Sequence, residues 1–174
     1  VAVASALLCS LCAFSEPLVL GETQIKALFI VRFLSFVTWP KGDKDDPRAP
    51  MWVGTDDEQM AQLIGEHTKD KLVRGRKVKV VRVETDNFDP KRLQVFYSSA
   101  TSPAIIDTLV QRARGHQVLS IMSTAGAAQA GVIINFVRFD QKVRFEVNYD
   151  ELEASRLRMS SQLLRLSLIV GKRR

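Results

Sequence analysis

The stretch between Gly131 and Asn148 constrains the fold most. Two runs rich in β-branched and aromatic residues, 131–139 and 142–148, are separated by Asp140 and Gln141. That is the pattern of a β-hairpin with a two-residue loop. With the loop placed there, Arg138 faces Val143, Phe136 faces Phe145 and Ile134 faces Val147. These pairs share one face, because facing residues of antiparallel strands point the same way. The opposite face carries Lys142, Arg144, Glu146, Asn148 and Asn135, beside Val137 and Ile133. A one-residue slip would send the phenylalanine pair to that more polar side, so the pattern specifies the register. The turn is the weak point, since tight primed turns prefer glycine and Gln141 is not one.

Helices are expected on both sides of this hairpin. After it, Asn148 or Asp150 caps a helix with acids in its first turn. Ser160 or Ser161 caps a further one, with Leu163, Leu166 and Val170 as its apolar stripe. Near the start, residues 22–39 have a helical pattern, with Thr23 as a possible cap. Ile25, Leu28, Phe29, Val31, Phe33, Leu34, Phe36 and Val37 cover most of that helix, and Arg32 and Ser35 mark its polar strip. Such a helix is buried on several sides or enters a dimer interface. It should stop at Trp39-Pro40, because proline disfavours helical geometry in the residue before it. Trp39 either plugs the core or lines a pocket with its indole N–H. Its bulk favours the core.

The middle of the chain alternates. Residues 41–50 read as a solvated connector; Asp43, Asp45 and Asp46 lack the glycine and distal glutamate of a calcium loop. A strand at 51–54 leads to a helix capped by Thr55 or Asp56 and running through Met60, Leu63 and Ile64. Strands follow at 77–84 and 93–97. Ser102-Pro103 opens a helix striped by Ile105, Ile106, Leu109 and Val110 and ended by Gly115. A strand at 117–122 and a small-residue loop at 124–131 complete the run into the hairpin. This order implies an α/β fold: a three-layer sandwich whose mixed, mostly parallel sheet ends in the antiparallel hairpin. Ligands of such sheets sit beyond the strand C-termini, here the loops after Gly54, Tyr97 and Ser123.

At 174 residues the chain is read as one domain over residues 22–170, preceded by a signal peptide over residues 1–15. The first fifteen residues carry no charge, and Ala13-Phe14-Ser15 resembles a cleavage site. A membrane anchor is the rival, but spanning takes about 20 apolar residues and Glu16 comes too early. Cys9 and Cys12 have redox-like spacing yet fall inside this segment, so the remaining chain has no disulfide. The net charge of +6 and the pI near 9.6 favour acidic partners or a solvated basic surface. No nucleic-acid motif accompanies them, and nucleic-acid binding is not expected.

Little in the chain points to catalysis. His67 and His116 lie near expected helix ends, where they would meet terminal carbonyls. No carboxylate or cysteine cluster suggests a metal, and no cofactor motif is present. The glycines at 126 and 131 have phosphate-loop spacing, but no Lys-Ser/Thr follows and a strand comes next. The cations of interest are Arg144, beside Glu146 on the polar hairpin face, and Arg158, two residues before Ser160 at a helix start. Arg144 is read as a surface ion pair or a ligand contact. Arg158 and Ser160 form a basic fork beside free backbone N–H groups, an anion site, or else an exposed arginine near a cap.

Three blocks in order carry a resemblance: residues 25–40 (IKALFIVRFLSFVTWP), residues 117–123 (QVLSIMS) and the hairpin followed by LRMSSQLLRLS. They resemble the YfiR family of periplasmic regulators, over most of the chain beyond about residue 24. The resemblance implies a periplasmic, non-enzymatic protein that restrains a membrane-bound diguanylate cyclase through its periplasmic part, lowering cyclic-di-GMP and biofilm formation. It also implies an effector pocket at Arg158 and Ser160; the reading of the residues adds Arg144 and Trp39 as candidate ligand contacts and a small anionic effector as the ligand. The apolar first helix would suit a homodimer. Where some members have cysteines around the hairpin, this chain has residues such as Ala127, Ala128 and Asn135, so redox sensing there is not expected. The alternative is a periplasmic ligand-binding module serving another membrane receptor, such as a sensor kinase.

Overall fold

The computed structural model describes residues 21–40 and 42–171; the expected signal segment, with Cys9 and Cys12, lies outside them. Helix α1 (Glu22–Phe36) starts the described chain. Its cap is Gly21, not Thr23: the Gly21 N–H donates to Gln24 Oε1 at 2.8 Å, and Thr23 falls inside the first turn. The helix ends before Trp39. Val37–Thr38 is extended as strand β1, two β-branched residues that reach a ladder partner instead of starting a fifth helical turn.

Strand β2 (Met51–Thr55), helix α2 (Glu58–Thr68) and strand β3 (Val78–Arg82) form the first parallel unit. The cap of α2 is Asp57, which accepts from the Met60 N–H at 2.9 Å. Thr55 and Asp56 are one step too early: Thr55 Oγ1 accepts from the Asp57 N–H, and Asp56 binds the neighbouring loops. Strand β4 (Val95–Tyr97), helix α3 (Pro103–Ala113) and strand β5 (Leu119–Met122) form the second unit, and Pro103 occupies the first turn as expected. Strands β6 (Ile134–Phe139) and β7 (Lys142–Asn148) make the hairpin. Helix α4 (Tyr149–Ala154), strand β8 (Arg158–Met159), helix α5 (Ser161–Leu164) and strand β9 (Leu168–Val170) follow.

Among the described residues the main sheet runs β3-β2-β4-β5-β6-β7-β9, and β1 pairs with β8 in a separate two-stranded ribbon. The first five strands are parallel, β7 is antiparallel to β6, and β9 runs with β7. Helices α1 and α2 pack on one face and α3 on the other, which is the expected three-layer α/β sandwich.

The hairpin forms in the register read from its pattern: Ile134 opposite Val147, Phe136 opposite Phe145, Arg138 opposite Val143. Asp140 and Gln141 both adopt positive φ, 47° and 60°, which is the geometry of a primed turn made without glycine. The phenylalanine pair is held by α1. Phe33 meets Phe145 edge-on with ring centres 5.1 Å apart, and Phe29 lies 5.4 Å from Phe145. This packing covers α1 inside the chain; Leu28, at 38 % exposure, is its most open apolar residue. The core beneath α3 is built on Phe88 stacked on Phe96 at 4.2 Å, with Ile106, Leu109 and Val110 above them. Gly54 lets β2 approach this layer: a Cβ there would lie 2.4 Å from Leu93 Cδ1.

Two expectations need correction. Residues 163–170 are not one striped helix. Helix α5 is a single turn, Leu166 is 52 % exposed, and Val170 lies in β9 on the free edge of β7. That edge offers unpaired backbone groups to Leu168, Ile169 and Val170, a run suited to a strand. Nor is the connector simply solvated. Lys44 is buried, and its ammonium donates to the carbonyls of Pro90 (2.7 Å), His116 and Gln117. Burial lowers its pKa to about 8, with Asp89 opposing the shift. Arg76 clamps the same strap through the carbonyls of Lys44, Ala49 and Pro50.

Candidate functional site

A large cavity lies where the end of α1 meets the C-terminal elements. It is an open cleft of about 810 Å³. One wall is Thr38, Trp39 and Pro40; the other is Tyr149, Leu152 and Glu153 of α4, then Arg156 to Met159, with Leu164 of α5. Its size is that of small-molecule pockets in general.

Local chemistry fixes each wall. Asn148 caps α4 by accepting from the Glu151 N–H at 3.0 Å, while its Nδ2 donates to the Ala128 carbonyl at 2.7 Å. The helix is thereby stapled to the loop before the hairpin. Arg156 takes a positive φ of 59°, and this left-handed residue turns the chain from α4 into β8. The ladder then sets Val37 opposite Met159 and Thr38 opposite Arg158. Val37 and Met159 are buried, so Thr38 and Arg158 are left on the open side. The Ser160 N–H donates to the Phe36 carbonyl at 3.0 Å and closes the ribbon.

The candidate residues fall into three positions. Trp39 and Arg158 meet in the cleft. Trp39 is 2 % exposed, and its indole N–H donates to the Gln117 carbonyl at 3.1 Å, so the ring rather than the N–H is what it offers a ligand. Arg158 is exposed, and its guanidinium has no hydrogen bond or ion pair among the described residues. Ser160 stands outside the lining, with its hydroxyl accepting from the Leu163 N–H at 3.3 Å as the cap of α5. Arg144 lies on the outer hairpin face, away from the cleft lining. It does not pair with Glu146, which instead accepts from Asn135 Nδ2 at 3.0 Å and Gln129 Nε2 at 3.4 Å. Tyr149, Glu153 and Arg156 were not singled out by sequence. Arg156 and Arg158 against Glu153 leave one net positive charge over a floor of Trp39, Leu152, Leu157 and Met159. Such a site can hold an apolar or planar group on the floor and a carboxylate or phosphate on the arginine fork.

The loops beyond the parallel strands also meet, as expected from the topology. A hollow of about 360 Å³ is lined by Asp56, Glu84, Thr85, Asp86, Ser99, Ala100 and Ile105. Its lining is acidic, and Asp56 is spent on Thr85 Oγ1 at 2.8 Å, the Ser99 N–H at 3.1 Å and the Ser98 hydroxyl. Nearby, Lys26 bridges Glu22 at 2.7 Å and Ser123 Oγ at 2.6 Å, and its ammonium lowers the Glu22 pKa. Burial raises the Tyr97 phenol, and Asp57 and Asp56 raise it further. These groups tie loops to one another. Among the described residues no group of three His, Cys, Asp or Glu side chains converges as a metal site, and no helix is long and apolar enough to cross a membrane.

The chain thus has an α/β fold: a doubly wound sheet, an added β1–β8 ribbon, and a cleft with two arginines over an apolar floor. A family model described as YfiR/HmsC-like matches residues 23–168, and the chain belongs to that family. The family is one of periplasmic regulators of diguanylate cyclase signalling, regulatory rather than catalytic. No curated protein matches the chain.

Proposed function

We propose that this protein restrains a membrane-bound diguanylate cyclase through the cyclase's periplasmic part, and that a small anionic effector in the Trp39–Arg158 cleft tunes the restraint. The observation that carries this reading is Arg158, a guanidinium without a partner among the described residues at the rim of the apolar-floored cleft. The two walls come from distant parts of the chain, β1 after α1 and β8 after α4, and meet through a ladder two residues long. A ligand bridging them favours one arrangement of that ribbon. It therefore shifts the balance between free and cyclase-bound protein by its difference in affinity for the two. The basic charge of the chain suits an acidic effector.

The test is co-purification with the membrane cyclase encoded beside this protein, with cyclic-di-GMP measured in cells with and without the gene. The reading predicts a complex and a rise in cyclic-di-GMP on deletion. A neighbouring locus with no such cyclase, or unchanged cyclic-di-GMP on deletion, contradicts it.

A further inference from the structure

The far end of the hairpin carries a surface that the cleft does not use. Strand β6 pairs with β5 through Ile134 and Asn135, and β9 pairs with β7 through residues 146–148. Residues 137–144 therefore extend past their neighbours as a two-stranded ribbon with two free edges. Phe29 and Phe33 close one face at its root. The tip is open: Phe139 is 54 % exposed and sits opposite Lys142, and Val137 sits opposite Arg144. These four share a face by strand alternation. The side chains of Lys142 and Arg144 have no hydrogen bond or ion pair among the described residues. Arg138, on the other face, is 68 % exposed in its side chain and reaches Glu22 at 3.7 Å. Lys142 and Arg144 thus flank an exposed ring on one face, Arg138 lies on the other beside Glu22, and Asp140 at the turn is the one acid among residues 137–144.

A second observation concerns the chain's path. The Arg138–Glu22 contact puts the start of α1 at this same pole. The described chain therefore begins on the hairpin side. The cleft lies at the other end of α1, about 22 Å away along a helix of fifteen residues.

We propose that the ribbon tip is a contact for an anionic phospholipid surface: Phe139 enters the headgroup layer while Lys142 and Arg144, on its face, meet lipid phosphates. A projecting tip with no groove suits a broad charged plane better than a peptide. Cations along the free edge also oppose the addition of a partner's strand. One aromatic ring and a few cations give weak, reversible, salt-sensitive attachment rather than anchoring. Such contact would hold the protein at the bilayer and leave its cleft clear. The proposal is independent of the cleft's ligand.

The experiment is co-sedimentation of the protein, purified from the periplasmic fraction of its host, with vesicles of phosphatidylcholine and phosphatidylglycerol or of phosphatidylcholine alone. Binding to the anionic vesicles that falls with added salt is expected. The double variant Lys142→Glu, Arg144→Glu should weaken it by about tenfold or more, from the attraction of each basic residue to an anionic surface. Phe139→Ser should also weaken it, with an unchanged melting temperature, and Arg158→Glu should retain it. Equal binding to neutral vesicles, no vesicle binding, or an equal loss in Arg158→Glu overturns the proposal. So does binding to poly-glutamate through the same residues without vesicle binding, which would assign the tip to an acidic protein segment.

Discussion

The hairpin root and the cleft are built on opposite terms. At the root, Phe136 and Phe145 are buried under Phe29 and Phe33, and the four rings lie within about one ring's width of one another. At the cleft, Arg156 and Arg158 stand exposed over an apolar floor, and the wall is a two-residue ladder followed by a one-turn helix. Stability is concentrated where side chains interlock without water. Uncommitted charge is concentrated where the elements are short. The two meet through α1, whose middle packs the hairpin and whose end becomes β1.

The largest effect that could break this contrast is truncation at the root. Phe33→Ala or Phe145→Ala removes a fully packed ring and should cost about 3–5 kcal/mol, read by denaturant unfolding. A loss below about 1 kcal/mol, the typical effect of a point mutation, would mean that the rings are not the core of the fold. Gly54→Ala probes the other layer. Its methyl would meet Leu93 and Phe96, so a loss of about 1–3 kcal/mol is expected.

Lys44 sharpens the comparison by pH. Its folded pKa is depressed to about 8 from 10.5, so between those values the unfolded chain keeps a proton that the folded chain has shed. Stability contributed by this group therefore rises with pH across that window. In Lys44→Met that rise should be absent, measured as unfolding free energy against pH. A slope identical to the parent's would mean that the strap does not bury the ammonium.

A smaller effect is expected at the turn. Replacing Asp140-Gln141 by Asn-Gly suits the two positive φ angles and should stabilise by about 0.5–1 kcal/mol. The smallest effect on stability belongs to the cleft: Arg158→Glu should stay within about 0.5 kcal/mol of the parent, as surface substitutions do.

The root was readable from sequence because strand alternation and the polar pair at 140–141 fix both faces and register at once. Asn148, Pro103 and the parallel order of β2 to β6 were readable for similar local reasons. The cleft was half readable. Trp39 and Arg158 stood out as a large ring and a cation beside a cap, and the fold brings them together. Tyr149, Glu153 and Arg156 did not, because their roles depend on where α4 ends and on a left-handed residue with no glycine to mark it. Ladder β1–β8 and strand β9 are two or three residues long, too short for any periodicity to register. Lys44 was hidden for another reason: a lysine among aspartates reads as solvated, and the carbonyls that bury it lie 46 to 73 residues away in sequence.

The most direct test is a thermal melt of the parent and Arg158→Glu against a panel of small carboxylates and phosphates, since a ligand bound to the folded form raises the melting point. The account predicts equal melting without ligand, a rise for the parent with at least one anionic compound, and no rise for the variant. A rise retained in Arg158→Glu, or no rise for the parent with any of them, would contradict it.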